Sequence, residues 1–388
     1  MTELLLLPPE LLTRILQNIP GKDFQNVCLS CKQLRDLAYD ESIWKIKCEE
    51  EYKFKSITGW NVTYRDVYHK VLRLYGDLVG LWWRDFTHYG GLMQVKFDNG
   101  CIKGVELLAP LSPHVERPLR RKTMFTISLT SSGKLEIVSV HNTPYKEIPC
   151  SITVEEDELR GRILEYRCPK QEHNWETMNQ WLEEELNSEE AMDIYLHCYR
   201  IRGKKYLSSR HFYRWTPLAV PWSRPNVPIQ PGLFKGTYSA HGIEILSLDY
   251  NEDMTEATAT KITGDPNIPA TKVSVKAELT STLVLTASQQ ETLSALLEAS
   301  EPNTQHPLPE TQPFKLPVDC YDRDIPNIPK TCTFRCNALG QIAADGYVNP
   351  SFSKAQFVVF DENTFGMIWL ELLSFSIYAR VKYEDIND

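Results

Sequence analysis

Four residues in the middle of the chain carry side chains that bind zinc, namely His141, Cys150, Cys168 and His173. Two thiolates and two imidazoles can close a tetrahedral structural site that leaves no open position for catalysis. The spacings within the two pairs are nine and then five residues, looser than those of zinc fingers. Two interpretations therefore stay open from the residues alone: a zinc site that joins loops, and an unrelated set of loop residues.

A second group of candidate ligands is the Cys-x-x-Cys pair formed by Cys28 and Cys31. A zinc site built on such pairs needs a second pair, and none follows at a suitable spacing. The pattern favours two thiols packed within short helices.

Motifs for common hydrolytic and phosphate-transfer chemistry are absent from the sequence. It contains no Gly-x-Ser-x-Gly elbow, no phosphate-cradling loop and no His-Glu-x-x-His zinc motif. Its 42 basic and 51 acidic residues give a net charge of −9, which argues against a nucleic-acid partner, because phosphate backbones are bound by Lys and Arg.

Hydrophobic runs in the sequence are too short for a membrane span, which needs about 20 apolar residues. The leucines at positions 4–7 lack the basic flank of a signal peptide. We therefore predict no membrane association and a cytoplasmic and nuclear location, where cysteines are thiols or metal ligands.

Apolar residues in the first fifty positions recur at helical spacing. They are Leu7, Leu11, Leu12, Ile15, Leu16 and Ile19. Pro8 and Pro9 can only begin this helix, and Pro20 ends it. Ser30 and Gln33 form a capping box that predicts a further helix, and another is expected around Glu41–Tyr52. So small a helical module at 4–52 buries little area alone, so its apolar face is expected to pack on its own chain or on a partner.

From about residue 76 to residue 388 the hydrophobic pattern changes. Apolar and polar residues alternate in short runs such as Leu92–Phe97 and Lys272–Leu279, which are separated by turn-forming residues. This pattern predicts an antiparallel sandwich or barrel. A helical insertion is predicted at 174–201, and a flexible linker with a short helix near Thr292–Ala299 is predicted at 287–312. A helical connector is predicted at 53–75.

The N-terminal strings resemble an F-box. They are Leu7-Pro8-Pro9-Glu10-Leu11-Leu12, Leu29-Ser30-Cys31-Lys32-Gln33-Leu34 and Asp40-Glu41-Ser42-Ile43-Trp44. The resemblance implies docking onto the Skp adaptor and, through it, onto a cullin–RING ubiquitin ligase. The residues implied to contact the adaptor are Leu7, Pro8, Leu11, Leu12, Ile15 and Leu16.

Strings in the second module are similar to the F-box only protein 31 family, with its D-type-cyclin-binding domain. They include Pro231-Gly232-Leu233-Phe234-Lys235-Gly236-Thr237-Tyr238 and Gly264-Asp265-Pro266-Asn267-Ile268-Pro269-Ala270. The likeness runs through nearly the whole chain and marks it as a relative or ortholog. It implies an α+β fold, a small all-α F-box followed by a large antiparallel β-barrel-like domain with a helical insertion. It also implies a non-catalytic receptor that captures C-terminal segments of proteins such as D-type cyclins for ubiquitination and proteasomal degradation.

The implied pocket draws attention to four residues, Lys235, His241, Asp265 and Asn267. A free carboxylate end would suit a cationic donor such as Lys235, whereas an amide end would suit an acceptor such as Asp265. The alternative for Asp265 is a turn residue that bonds its own backbone. Lys235 and His241 could equally be an exposed lysine and a strand-end histidine.

The resemblance also bears on the zinc candidates, because relatives hold zinc with two Cys and two His in this region. Cys168 and His173 fall near the family's second ligand pair, whereas His141 and Cys150 do not match the first pair cleanly.

Two rival functions remain. One is a small-ligand-binding or hydrolytic β-barrel enzyme that carries a helical docking module, and the other is an F-box protein that acts outside a ligase.

Overall fold

The computed structural model describes residues 4–85, 88–112, 114–140, 148–158, 161–167, 212–302, 309–321 and 327–382. Its N-terminal part is helical, which confirms the predicted all-α module. The elements are a 3₁₀ turn at Leu4–Leu6, α1 (Pro9–Gln17), a 3₁₀ turn at Gly21–Asp23, α2 (Phe24–Ser30), α3 (Lys32–Leu37) and α4 (Glu41–Tyr52). Helix α1 starts directly after Pro8, with Pro9 in its first turn, where the missing N–H costs nothing.

The start of α3 differs from the predicted capping box. Ser30 is the last residue of α2, and its hydroxyl donates to the carbonyl of Val27 at 2.6 Å. The cap of α3 is Cys31, whose sulfur accepts from the Leu34 N–H at 3.4 Å. The prediction placed the cap one residue early because Ser is the commoner capping residue. Cys28 and Cys31 are both free thiols.

The connector joins the helical module to the rest of the chain through one core. It consists of α5 (Tyr64–Val67), a π-helical turn (Tyr68–Leu72), α6 (Arg73–Tyr75) and a 3₁₀ turn (Gly76–Leu78). The Trp44 ring on α4 lies 5.0 Å from the Tyr68 ring and 4.9 Å from the Phe24 ring. This cluster continues to Trp82 and Met93 in the first β-sheet. The helical module therefore completes its core on its own chain.

The predicted β domain at 76–388 contains two main sheets. The first has nine antiparallel strands in the order β6-β5-β4-β3-β2-β1-β9-β8-β7. These strands are β1 (Gly80–Trp83), β2 (Leu92–Asp98), β3 (Cys101–Leu108), β4 (Arg120–Leu129), β5 (Leu135–Ser139), β6 (Ile148–Pro149), β7 (Ser151–Asp157), β8 (Gly161–Arg167) and β9 (Phe212–Pro217). The predicted helical insertion at 174–201, between β8 and β9, lies outside the described residues.

The second sheet is a closed antiparallel barrel, as the alternation predicts. Its strand order is β10-β11-β12-β13-β16-β17-β18-β19, and pairing of β10 with β19 closes it. Its strands are β10 (Gly232–Thr237), β11 (Ile243–Tyr250), β12 (Glu256–Lys261), β13 (Val273–Thr282), β16 (Phe334–Ala344), β17 (Val348–Val359), β18 (Thr364–Trp369) and β19 (Ser374–Arg380); β14 (Gln312–Pro313) and β15 (Thr331–Cys332) form a separate pair.

Aromatic side chains fill the barrel interior. Phe365 and Tyr378 stack with ring centroids 4.5 Å apart, and Phe357 lies 5.0 Å from Phe365. Met367 and Trp369 belong to the same buried cluster. The interior of an eight-stranded barrel is just wide enough for its own side chains to fill, so the part of the interior that these side chains occupy is a packed core.

In the segment after β13, the short helix predicted near Thr292–Ala299 is confirmed, whereas the flexible linker predicted around it is packed on the barrel where the structure describes it. Helix α7 (Leu293–Glu298) buries Leu293 and Leu296, which lie three residues apart and so share a face. Gln290, fully buried, accepts from the guanidinium of Arg335 on β16 at 2.9 Å. Apolar burial and this bond hold residues 288–298 against the outside of the barrel.

In the described part of the chain, no helix is long and apolar enough to cross a bilayer.

Candidate functional site

Loops at one end of the barrel meet around a buried pair of opposite charges. The β12–β13 loop contacts the β16–β17 hairpin through the Gly346 N–H, which donates to the Pro266 carbonyl at 2.9 Å. The Asn267 side chain donates to the Ala343 carbonyl at 2.8 Å. These bonds fix the Gly264–Ala270 turn over the barrel end.

The charge pair consists of Lys261, the last residue of β12, and Asp265 in the turn. The Lys261 ammonium donates a short hydrogen bond to Asp265 Oδ2, and the two side chains are only 0% and 3% exposed. Asp265 Oδ1 accepts the backbone N–H groups of Asn267 and Ile268 at 2.7 and 2.8 Å. Asp265 therefore bonds its own turn, as the simpler interpretation predicts, and also holds a buried cation.

Polar groups on the strands extend this cluster. The Lys261 ammonium lies 4.0 Å from the centre of the Tyr238 ring, and the Tyr238 hydroxyl lies 2.8 Å from Ser274 Oγ. Glu244, fully buried on β11, accepts from the Thr263 hydroxyl at 2.7 Å. Tyr238 in turn lies 6.3 Å from the Trp369 ring. The polar cluster thus borders the aromatic core of the barrel.

His241 lies at the same end, in the 3₁₀ turn between β10 and β11. Burial alone would raise the pKa of the Asp265 carboxyl, but the charges of Lys261 and His241 and the bonds to Lys261 and Ile268 lower it below its ordinary range. His241 Nδ1 is buried and has no hydrogen-bond partner. The structure therefore brings His241, Asp265 and Asn267 together.

Lys235, the fourth predicted residue, is on the other side of the barrel wall. Its neighbours along β10 face inward: Phe234 belongs to the interior cluster, and a Cβ on Gly236 would meet the Tyr378 ring. Lys235 pairs in register with Ile245, whose side chain packs between barrel and sheet. Lys235 is therefore 1% exposed in the interface between the two sheets, because side chains alternate along a strand.

The first sheet supports the turn that carries Asp265. His88 Nε2 donates to the Asp265 carbonyl at 2.6 Å, and the His88 carbonyl accepts from the Ala270 N–H at 2.8 Å. A Cβ on Gly264 would lie 2.4 Å from the His88 carbonyl oxygen. Only glycine at this position allows the loop of the sheet to approach so closely.

Sequence reasoning missed Lys261, Glu244 and Tyr238. A signal for Lys261 was present in the sequence, because Ala257, Ala259 and Lys261 alternate along an extended run and would share one face of a strand. Both alanines are fully buried in the barrel interior, so the alternation directs Lys261 inward as well.

The helical module has a second candidate surface on α1. Leu12 and Leu16 are 1% and 2% exposed, whereas Leu11 and Ile15 are 45% and 39% exposed. Leu12 and Leu16 therefore anchor α1 in the core and do not belong to the face that a partner would meet. Leu11 and Ile15, four residues apart on one face of α1, form that face together with exposed Pro8 and half-buried Leu7 before the helix.

Of the four zinc candidates, only Cys150 lies within the described residues, where it is half-buried and packs against the core shared with the helical module. His141, Cys168 and His173 lie outside them. The zinc site stays a prediction.

Two family profiles match the chain. The F-box-like profile covers residues 4–50, and the cyclin D1 binding domain profile covers residues 215–385, which contain the barrel. F-box only protein 31 of Rattus norvegicus is 32% identical over 98% of this chain and 85% of its own length. The chain belongs to the F-box only protein 31 family. The Homo sapiens protein is 31% identical over 98% of this chain and 83% of its own length.

F-box only protein 31-B of Xenopus laevis is 30% identical over 98% of this chain and 83% of its own length. Strands β1–β8 lie between the two matched profiles, yet the relatives align through them. The alignment with the relatives therefore includes the first sheet, whose loop positions the Asp265 turn.

Proposed function

We propose that this chain is the non-catalytic substrate-recognition subunit of an SCF ubiquitin ligase in the cytoplasm and nucleus. The helical module docks on the Skp adaptor and thereby on the cullin–RING ligase, while the barrel end captures C-terminal segments of D-type-cyclin-like proteins for ubiquitination and degradation. Family membership supports both parts. The observation that carries the first part is the division of α1 into a buried face and an exposed apolar face.

Adaptor docking depends on burial of Leu11 and Ile15. Each side chain contributes about 1.5–3 kcal/mol when fully buried, and somewhat less from its partly exposed state. A Leu11→Glu, Ile15→Glu variant should therefore bind purified Skp adaptor about 100-fold more weakly or worse. Arg14→Glu, an exposed change on the same helix, is the matched control for added negative charge.

Binding is measured by titrating adaptor into the full-length chain. If the doubly substituted chain binds as tightly as wild type, α1 is not the docking element and the ligase function loses its support. Equal loss in Arg14→Glu would point to a general charge effect and would have the same consequence.

For the substrate end, the chemistry of the buried pair favours an amide over a free acid. A terminal amide offers an N–H donor to Asp265 and a carbonyl acceptor to Lys261. A free carboxylate can accept from Lys261 but repels Asp265. Because the pair is almost fully buried, a chain end can reach it only if the covering backbone moves.

Peptides with the same sequence and either an amide or an acid end provide the test. Wild type should bind the amide more tightly, and Asp265→Asn, which keeps the turn bonds through its Oδ1, should lose that preference. Lys330→Met, an exposed change, is the control for loss of a charge. If Asp265→Asn kept the preference for the amide peptide, Asp265 would not be part of the binding site. The rival function of a small-ligand-binding barrel is less favoured, because aromatic side chains pack the barrel interior.

A further inference from the structure

A cleft of about 420 Å³ lies between the helical module and the connector, away from the barrel. Its walls come from the turn before α2, from α2 and from the helical turns of the connector. Its lining residues are Gly21, Lys22, Phe24, Gln25, Cys28, Tyr39, Arg65, Asp66, His69, Lys70 and Arg73. Four of these are permanent cations in a chain with a net charge of −9, so the cleft has the opposite sign to the molecule as a whole.

Among the residues that the structure describes, three of the four cations have no carboxylate partner. Lys70 pairs with Asp66 at 2.8 Å, which neutralises the one carboxylate among the described residues that line the cleft. Within the described part of the chain, the side chains of Lys22, Arg65 and Arg73 make no hydrogen bond and no ion pair. Their unused donors face a space that is open to solvent.

Arg65 is held in place without using its donors. Its guanidinium stacks on the Tyr39 ring, with the charge centre 4.1 Å from the ring centroid. Stacking of this kind fixes the plane of the guanidinium and leaves its N–H edge available. Burial and the charges of Arg65 and Arg73 lower the pKa of His69, which lines the same cleft, as expected where cations converge.

We propose that this cleft binds the phosphate group of a phosphorylated protein segment. A phosphoserine or phosphothreonine carries a charge of about −1.5 to −2 and three acceptor oxygens, enough to engage Lys22, Arg65 and Arg73 together. A single carboxylate has half the charge and one oxygen fewer. The cleft is also larger than a phosphate group, and exposed Tyr39 offers an apolar wall for the residues beside it.

The test titrates the full-length chain, alone and bound to the Skp adaptor, with the capped peptide acetyl-Gly-pSer-Gly-amide while the His69 ring resonances are followed by NMR. The serine and glutamate versions of the peptide and inorganic phosphate are titrated in parallel. We expect the phosphopeptide to bind the free chain, to shift the His69 resonances and to weaken as salt is raised.

Arg65→Gln and Arg73→Gln should each weaken the phosphopeptide about 10-fold or more, since charge-assisted bonds are worth about 1.5–3 kcal/mol. Lys22→Gln changes an exposed side chain and is a further variant that should not disturb folding. Lys330→Gln, an exposed change directly before β15, should have no effect.

The proposal is overturned if the phosphopeptide does not bind, if the serine or glutamate peptide binds as well, or if the three cleft variants bind like wild type. Inorganic phosphate that binds as tightly as the peptide would also overturn it, because the site would then take a free anion and not a protein segment. If the phosphopeptide binds the free chain but not the adaptor complex, the adaptor covers the cleft. That result would overturn the proposal that a phosphorylated segment occupies the cleft in the ligase.

Discussion

Removal of either charge of the Lys261–Asp265 pair should destabilise the barrel, and removal of both should restore most of the stability. Asp265→Asn keeps an oxygen to accept the N–H groups of Asn267 and Ile268. What it removes is the partner of a fully buried ammonium. Lys261→Met does the converse and leaves a buried carboxylate with its two turn bonds.

The expected size follows from the desolvation of the charge that remains. Breaking a buried pair by removing one partner costs about 3–5 kcal/mol, whereas replacing both by neutral groups of similar volume is often close to neutral. For a domain of this size each kcal/mol lowers the Tm by about 2–4 °C, so each single variant should melt roughly 6–20 °C lower. The double variant should lie within about 1–2 kcal/mol of wild type.

The assay is urea denaturation of the wild type, both single variants and the double variant, with thermal melting as a second probe. The coupling free energy of this cycle should be at least about 3 kcal/mol. If each single variant loses less than about 1 kcal/mol, or if the double variant loses the sum of the two, the pair is not buried and coupled as the structure has it. Lys330→Met, an exposed change, controls for loss of a surface charge.

Two further predictions follow from the structure of the barrel, and a third follows from the sequence alone. Folding lowers the pKa of the Asp265 carboxyl. The ionised carboxyl therefore stabilises the fold at pH values above an ordinary carboxyl pKa, and this stabilisation is lost as pH falls through the lowered pKa of the folded state. In urea denaturation, the difference in unfolding free energy between wild type and Asp265→Asn should therefore close below about pH 4. Gly236→Ala would put a Cβ 1.9 Å from the Tyr378 ring and should cost about 1–3 kcal/mol or more, measured in the same assay. Elemental analysis should find zinc stoichiometric with the chain and lost in Cys168→Ser and His173→Ala; zinc-free, folded wild type would contradict the site.

The helical module illustrates what local pattern predicts well. Proline entry and apolar spacing placed α1 correctly, because both act within one turn of helix. The same spacing could not separate Leu11 and Ile15 from Leu12 and Leu16, since all four lie within one apolar stripe. Which of them is buried depends on where α3, α4 and the connector pack.

The barrel end illustrates the opposite case. The sequence directed attention to Asp265 and Asn267 through their rigid turn, and the structure confirms that turn. The sequence did not indicate that Lys261 is the partner of Asp265. The two residues are four positions apart, one at the end of a strand and the other in a turn, and such a separation has no fixed geometry. Lys235 was named as a donor for the pocket by residue type alone, and its position on β10 turns its side chain to the outer face of the barrel, because one residue of register reverses the face of a side chain.

By itself the sequence determined the order of modules, the helical start, the antiparallel character of the second half and the family. These depend on periodicity and on local turn chemistry, which are properties of short segments. Only the tertiary structure decided that two sheets share the β region, that the β12–β13 turn is held by His88 from the first sheet, and that Lys261 and Asp265 are enclosed together. Those features depend on contacts between distant segments, and burial is a property of such contacts and not of a residue's type.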